Sequence, residues 1–270
     1  MKNKVILITG GTSGIGLALA RRFGQAGARI AFTGRDSLRC RETEALLQSE
    51  GVEVIGIEAD AASEQDQYKA VAQTVNRFGR IDVLINNAGI SMRALFMELD
   101  LAVFCKVMDT NFYGTVYASK AALPWLLKSK GSIVGISSVA GFKGLPGRTA
   151  YSASKFAMEG FLEALEGELL KKGVHVLVAC PGFTASKIRE NALTKDGSHQ
   201  KESPREEEKM MQPEEVAEKI FRAVAKRQRR LVMSREGLLS FWLNKFFPVF
   251  VLRKVYEKLA AEPGSGLEPL

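Results

Sequence analysis

The sequence predicts a doubly wound α/β domain on a parallel sheet of about seven strands, followed by a C-terminal extension. Short apolar, β-branched runs alternate with longer amphipathic stretches, the pattern of βαβ units whose strands are buried on both faces. The chain has 270 residues, 46% hydrophobic and 25% charged, enough for one large core and unlike a disordered chain. No Pro/Gly/Ser-rich linker divides it before Pro181 and no internal repeat is visible, so a single domain is the economical reading.

The first strand is expected at 5–9, where Val5-Ile6-Leu7-Ile8 follows Met1-Lys2-Asn3-Lys4. That apolar run is too short for the core of a signal peptide, and no stretch approaches the roughly 20 apolar residues of a membrane-spanning helix. A cytoplasmic location is the expectation. A helix follows over 14–26, in which Ile15, Ala18, Leu19 and Phe23 keep helical spacing and Gly27 supplies the stop. Further strands are expected at 29–33, 52–58, 83–86, 132–137, 175–179 and 231–233, with helical patterns in most gaps. One long helix covers 150–172 and ends at Gly173.

After Pro181-Gly182 the pattern dissolves through Lys209. A loop of that length in a compact domain is a lid or a binding loop, drawn here at about 183–212. Helical pattern resumes at Pro213-Glu214-Glu215, with proline at the first position and acids in the first turn. The expected organisation is a catalytic domain over 1–235 and an aromatic, basic extension over 236–270.

The net charge is +8, and residues 222–258, with ten Lys/Arg against two Asp/Glu, carry all of it. A neutral body argues against nucleic acid as a partner. Lys226-Arg227-Gln228-Arg229-Arg230 reads as a solvated helix end whose cations complement the helix dipole. Three scattered cysteines and two histidines offer neither a disulfide framework nor metal-ligand spacing, so no metal is expected.

Directly after the first strand stands Thr9-Gly10-Gly11-Thr12-Ser13-Gly14-Ile15-Gly16, opening a helix. Glycines there permit a tight turn and close backbone approach, so the free N–H groups and positive dipole of the helix can receive a pyrophosphate. Tyr151 and Lys155 stand four apart on a helical stretch, hence on one face. A phenol with a pKa of about 10 is a poor acid near neutrality, and a nearby ammonium favours its phenolate. Ser138, at the end of a strand, can donate a hydrogen bond to a substrate carbonyl and stabilise alkoxide character.

These motifs, together with Asp60, Asn86-Asn87-Ala88-Gly89, Asn111 and Pro181-Gly182, stand in the order of the classical short-chain dehydrogenase/reductase family, which the chain resembles over roughly 1–235. Tyr151 follows Ser138 by thirteen positions, matching the family spacing. The resemblance implies a Rossmann-type fold, hydride transfer with a nicotinamide cofactor, and a catalytic set of Asn111, Ser138, Tyr151 and Lys155. Tyr151 would deliver the proton, Lys155 would bond the nicotinamide ribose, and Asn111 would anchor a water relay. It further implies cofactor contacts from Gly10, Thr12, Ser13, Gly14, Ile15 and Gly16, from Asp60 beside the adenine, and from Asn87, Ala88 and Gly89. Pro181, Gly182, Thr184 and Ser186 would lie on the nicotinamide side. Ser186 stands where the family usually has threonine. Family members commonly form homodimers or homotetramers.

Cofactor choice is read at the end of the second strand. NAD-binding members carry an acid there for the ribose 2′-hydroxyl, and Gly34 aligns with it, whereas Arg35 offers a planar cation for a 2′-phosphate and Arg39 a second contact. NADP(H) is therefore favoured over NAD(H). Asp36 either caps the next helix or reaches the ribose, and the cap is preferred.

Phe241, Trp242, Phe246, Phe247 and Phe250, flanked by Lys245, Arg253, Lys254 and Lys258, suit peripheral contact with an anionic membrane through 238–258. Packing on the body, roofing the pocket or burying a dimer interface is the preferred reading, since aromatic stripes are more often core than membrane anchors. Either way a lipophilic carbonyl substrate is expected, of 3-keto lipid, 3-oxoacyl or steroid type. A binding protein for NADP that regulates without turnover is the alternative, against which the intact Ser138, Tyr151 and Lys155 count.

Overall fold

Seven parallel strands lie in the order β3-β2-β1-β4-β5-β6-β7 in the structure, a computed structural model that describes residues 1–186, 188–201 and 210–268. They are β1 (Val5–Ile8), β2 (Arg29–Gly34), β3 (Val54–Glu58), β4 (Val83–Asn86), β5 (Ser132–Ile136), β6 (His175–Cys180) and β7 (Arg230–Val232). Each falls within two residues of the expected run. The β1, β4 and β5 strands are buried throughout, which explains why they read as continuous apolar stretches rather than alternating ones.

The strand order reverses beside β1, where Ile6 pairs Ile30 of β2 on one side and Val83 of β4 on the other. Helices α1 (Gly14–Gln25), α2 (Ser37–Ser49) and α7 (Pro213–Ala225) cover one face. The other face carries α3 (Glu64–Phe78), α5 (Gly114–Ser129) and α6 (Thr149–Leu169). Such a reversal opens a crevice outside the carboxyl ends of the strands. Helix α4 (Leu101–Met108) runs into α5 through a π-turn over Asp109–Tyr113, a register break at Asn111.

The loop expected over 183–212 lies partly outside the described residues, at 187 and 202–209. Its described parts are tethered: Thr184 bridges to Met211, and Leu193 bridges to both Met92 and His199. The cationic run after α7 is only in part a solvated helix end. Lys226 caps α7, but Arg227 donates to the carbonyls of Lys130 and Gly173 at 3.2 and 2.6 Å. Arg229 pairs with Glu166, and Arg230 opens β7 and pairs with Glu159. These cations bind the last strand to the body.

The extension forms two helices, α8 (Arg235–Phe246) and α9 (Pro248–Ala260), folded as a hairpin. Among the described residues no helix is long and apolar enough to cross a membrane.

Candidate active site

A cleft of about 780 Å³ lies at the carboxyl ends of the strands. Its floor is the loop between β1 and α1. Gly10 and Gly14 hold φ of +68° and +52°, and a Cβ on Gly16 would sit 2.1 Å from the Gly10 carbonyl. The loop therefore accepts no side chain at these points. Ser13 makes no capping bond, and the first turn of α1 holds no acid. The N–H groups and dipole of α1 thus face the cleft uncompensated by the chain itself, as a pyrophosphate requires. The neighbouring loop is stitched to this one. The Thr9 hydroxyl accepts from the N–H groups of Asn87 and Ala88, both at 3.0 Å, and the Asn87 amide donates to the Thr9 and Gly10 carbonyls.

At the far end, Arg35, Arg39 and Asp60 line the cleft. Asp36 accepts from the N–H groups of Leu38 and Arg39 at 2.9 and 3.1 Å, so it caps α2. A Cβ on Gly34 would lie 2.6 Å from the Thr12 side chain and 2.9 Å from Cys40 Sγ. An acid has no room at that position. Asp60 Oδ1 accepts from the Ala62 N–H at 3.0 Å.

At the opposite end, Ser138 stands in extended backbone just past β5, and Tyr151 and Lys155 face it from α6. The Ser138 hydroxyl accepts from the Ala140 N–H at 3.2 Å, and Ser138 and Tyr151 line the same end of the cleft. Lys155 Nζ donates to the Ile136 carbonyl at 2.8 Å and lies 5.8 Å from the Tyr151 ring centroid. Burial pushes the Tyr151 phenol up, countered by the neighbouring Ser138 hydroxyl and by the charges of Arg148 and Arg189. Burial also pushes Lys155 down to about 8, against Cys180 and Glu159. The sequence assigned the activation of Tyr151 to the Lys155 ammonium. In the structure Lys155 stands beside the Tyr151 ring, and Arg148 and Arg189 add further positive charge nearby.

All the expected cofactor contacts line the cleft: Gly10, Thr12 to Gly16, Arg35, Arg39, Asp60, Asn87 to Gly89, Tyr151, Lys155, Pro181, Gly182, Thr184 and Ser186. Asn111 does not. Its side chain is fully buried, Oδ1 accepting from the Ile90 N–H at 2.8 Å and Nδ2 donating to the Ile90 carbonyl and Ser154 Oγ, each at 2.9 Å. It fixes the loop after β4 against α6.

Sequence reasoning missed two acids. Glu159 accepts from Ser137 Oγ at 2.6 Å, Cys180 Sγ at 3.4 Å and Arg230 Nη1 at 2.6 Å. Its spacing was legible, because Tyr151, Lys155 and Glu159 recur every four residues on one helix face. Glu262 left no such signal. It is buried in the extension and pairs with Arg148 at 3.0 Å and Arg93 at 3.7 Å. It thereby ties the tail to two loops beside the cleft, one of them carrying the cleft-lining Arg148.

Comparison with known proteins agrees with this geometry. The short chain dehydrogenase family model matches residues 4–197. A Danio rerio protein named dehydrogenase/reductase SDR family member 7B is 33% identical over 276 residues, covering 98% of this chain and 88% of its own. An Arabidopsis thaliana protein named 11-beta-hydroxysteroid dehydrogenase 1A is 38% identical over 187 residues, covering 68% of this chain and 53% of its own. The solved structure of an alcohol dehydrogenase from Thermococcus sibiricus, complexed with 5-hydroxy-NADP, superposes with a TM-score of 0.72 at 25% identity, covering 84% of this chain and 93% of that one. The chain belongs to the short-chain dehydrogenase/reductase family and is an oxidoreductase of the CH–OH/C=O type that uses a nicotinamide cofactor.

Proposed function

We propose that this enzyme reduces a lipophilic ketone to a secondary alcohol, reversibly, with NADP(H). The observation that carries the reading is one continuous cleft with the open N-terminus of α1 on its floor and Ser138, Tyr151 and Lys155 at one end. The cofactor, when bound, supplies or accepts the hydride. Ser138 orients the substrate carbonyl by hydrogen bonding, and Tyr151 delivers the proton to the oxygen as alkoxide character develops. Lys155, held by the Ile136 carbonyl, is placed to bond the nicotinamide ribose. Asn111 serves the proton path by fixing the loop at Ile90 and bonding Ser154, the neighbour of Lys155, rather than as a group open to the cleft.

Preference for NADP(H) rests on Arg35 and Arg39 in the cleft, the crowding at Gly34, and the engagement of Asp36 as a cap. The apolar side chains Ile90, Leu145, Phe183, Ile188 and Leu193 on the cleft wall support a lipophilic substrate. A relative named for a hydroxysteroid keeps steroids beside 3-keto lipids and 3-oxoacyl chains in the candidate set. We assign catalysis to 1–235 and surface attachment to 236–270, in a cytoplasmic homodimer or homotetramer. The test is oxidation of NADPH and NADH in parallel with a panel of such ketones. NADPH-dependent turnover is expected, with its loss in Tyr151→Phe; full turnover in that variant overturns the mechanism.

A further inference from the structure

The C-terminal hairpin is built inside out. Of its larger apolar side chains, Val251 and Leu259 are buried, and Phe241 packs edge-on against Phe142 with ring centroids 5.1 Å apart. Leu243, Val255 and Tyr256 are half-buried, and the others face outward. Leu239, Trp242 and Phe246 stand three and four apart on α8 and are 60, 54 and 72% exposed, hence one stripe. At the corner joining the helices, Phe247, Val249 and Phe250 are 60, 63 and 55% exposed around Pro248. Side chains of this size in one contiguous patch mark an interaction surface.

Charge identifies what the patch fits. The hairpin carries Arg235, Lys245, Arg253, Lys254 and Lys258 against Glu236 and Glu257, and it belongs to the segment that holds the whole net charge. Lys245 Nζ lies 4.8 and 4.9 Å from the Phe241 and Trp242 ring centroids, next to the exposed stripe. Aromatic and aliphatic side chains flanked by cations match the acyl–headgroup boundary of an anionic bilayer. A second copy of the chain would bring the same excess of cations to a self-contact, which charge disfavours.

The hairpin also adjoins the cleft. Lys143 Nζ donates to Asn244 Oδ1 at 3.0 Å, and Phe142 holds Phe241. The loop carrying both residues continues to Leu145 and Arg148, which line the cleft. We propose that the α8–α9 hairpin docks the enzyme on anionic lipid surfaces, with Trp242 and Phe246 to Phe250 seated among the acyl chains and the neighbouring cations on the headgroups. The value of this placement for a lipophilic substrate rests on the function proposed above; the docking itself does not.

Flotation of the full chain with vesicles of phosphatidylcholine alone, and of phosphatidylcholine with a minority of phosphatidylserine, tests the proposal without turnover. Binding to the second composition is expected, falling at least tenfold in Phe246→Ser/Phe250→Ser and with added salt. Trp242 emission, isolated by Trp125→Phe, should shift to the blue on the same vesicles. NADPH affinity and turnover of a soluble ketone should be unchanged in the double serine variant. Absence of flotation and of the emission shift overturns the docking. So does a dimer that dissociates in the serine variant without vesicle binding, which would assign the patch to a second copy. Vesicle binding by a protein inactive on every ketone would instead overturn the substrate reading and leave the docking standing.

Discussion

Lys155→Met should destroy activity and at the same time stabilise the cofactor-free protein. Lys155 is 3% exposed, and its pKa is pushed from the ordinary 10.5 down to about 8 by burial. Carrying that ammonium at pH 7 costs the folded state about 3 kcal/mol relative to an unperturbed lysine. Methionine has a similar length and no charge, but it leaves the Ile136 carbonyl without its 2.8 Å donor, a loss of about 1 kcal/mol. The net gain is about 2 kcal/mol at pH 7. The sign follows from linkage, because the unfolded chain binds this proton more tightly than the folded one. The penalty is fully present below pH 8, fades between 8 and 10.5, and is gone above. Urea unfolding of wild type and variant at pH 7 and pH 9.5 measures it, with the advantage shrinking to about zero at the higher pH. Equal stability at pH 7, or an advantage that grows with pH, refutes the buried-ammonium account.

Arg35→Ala should weaken NADPH binding tenfold or more, the size of a charge-assisted bond to phosphate, and leave NADH nearly unchanged; fluorescence titration of both dinucleotides decides, and an equal loss for the two would remove Arg35 from the 2′-phosphate. Glu262→Gln should raise KM for the ketone several-fold, because Arg93 and Arg148 lose their shared carboxylate and the loops beside the cleft loosen. The dissociation constant for NADPH should hold steady, since no glycine-loop contact is involved, and an unchanged KM would show that the tail does not position the substrate side.

What was legible in the sequence is what depends on neighbours along the chain. Buried parallel strands announce themselves as apolar runs, and the glycine loop, the Tyr151/Lys155 spacing and the cap at Asp36 are local patterns with local causes. The surroundings of Tyr151 were not legible in full, because Arg148, which lines the same cleft, is held by Glu262 more than a hundred positions away. Asn111 was placed in the correct motif with an incomplete role. Its π-turn arises from packing between α4, α5 and α6, which no window of sequence contains. The basic run after α7 looked like solvent-facing charge because its acceptors, the carbonyls at 130 and 173 and the carboxylates at 159 and 166, lie on other elements.

Glu159 bears on how this enzyme can change over generations. Its carboxylate serves the residue before Ser138, the last residue of β6 and the first of β7 at once. A drift to a neutral residue at 159 would strand Arg230 and open the back of the active site in a single step, whereas loss of Ser137 or Arg230 alone would leave a buried acid short of donors. Positions 137, 159, 180 and 230 therefore behave as one physical unit, in which a change at one is expected to require a change at the others.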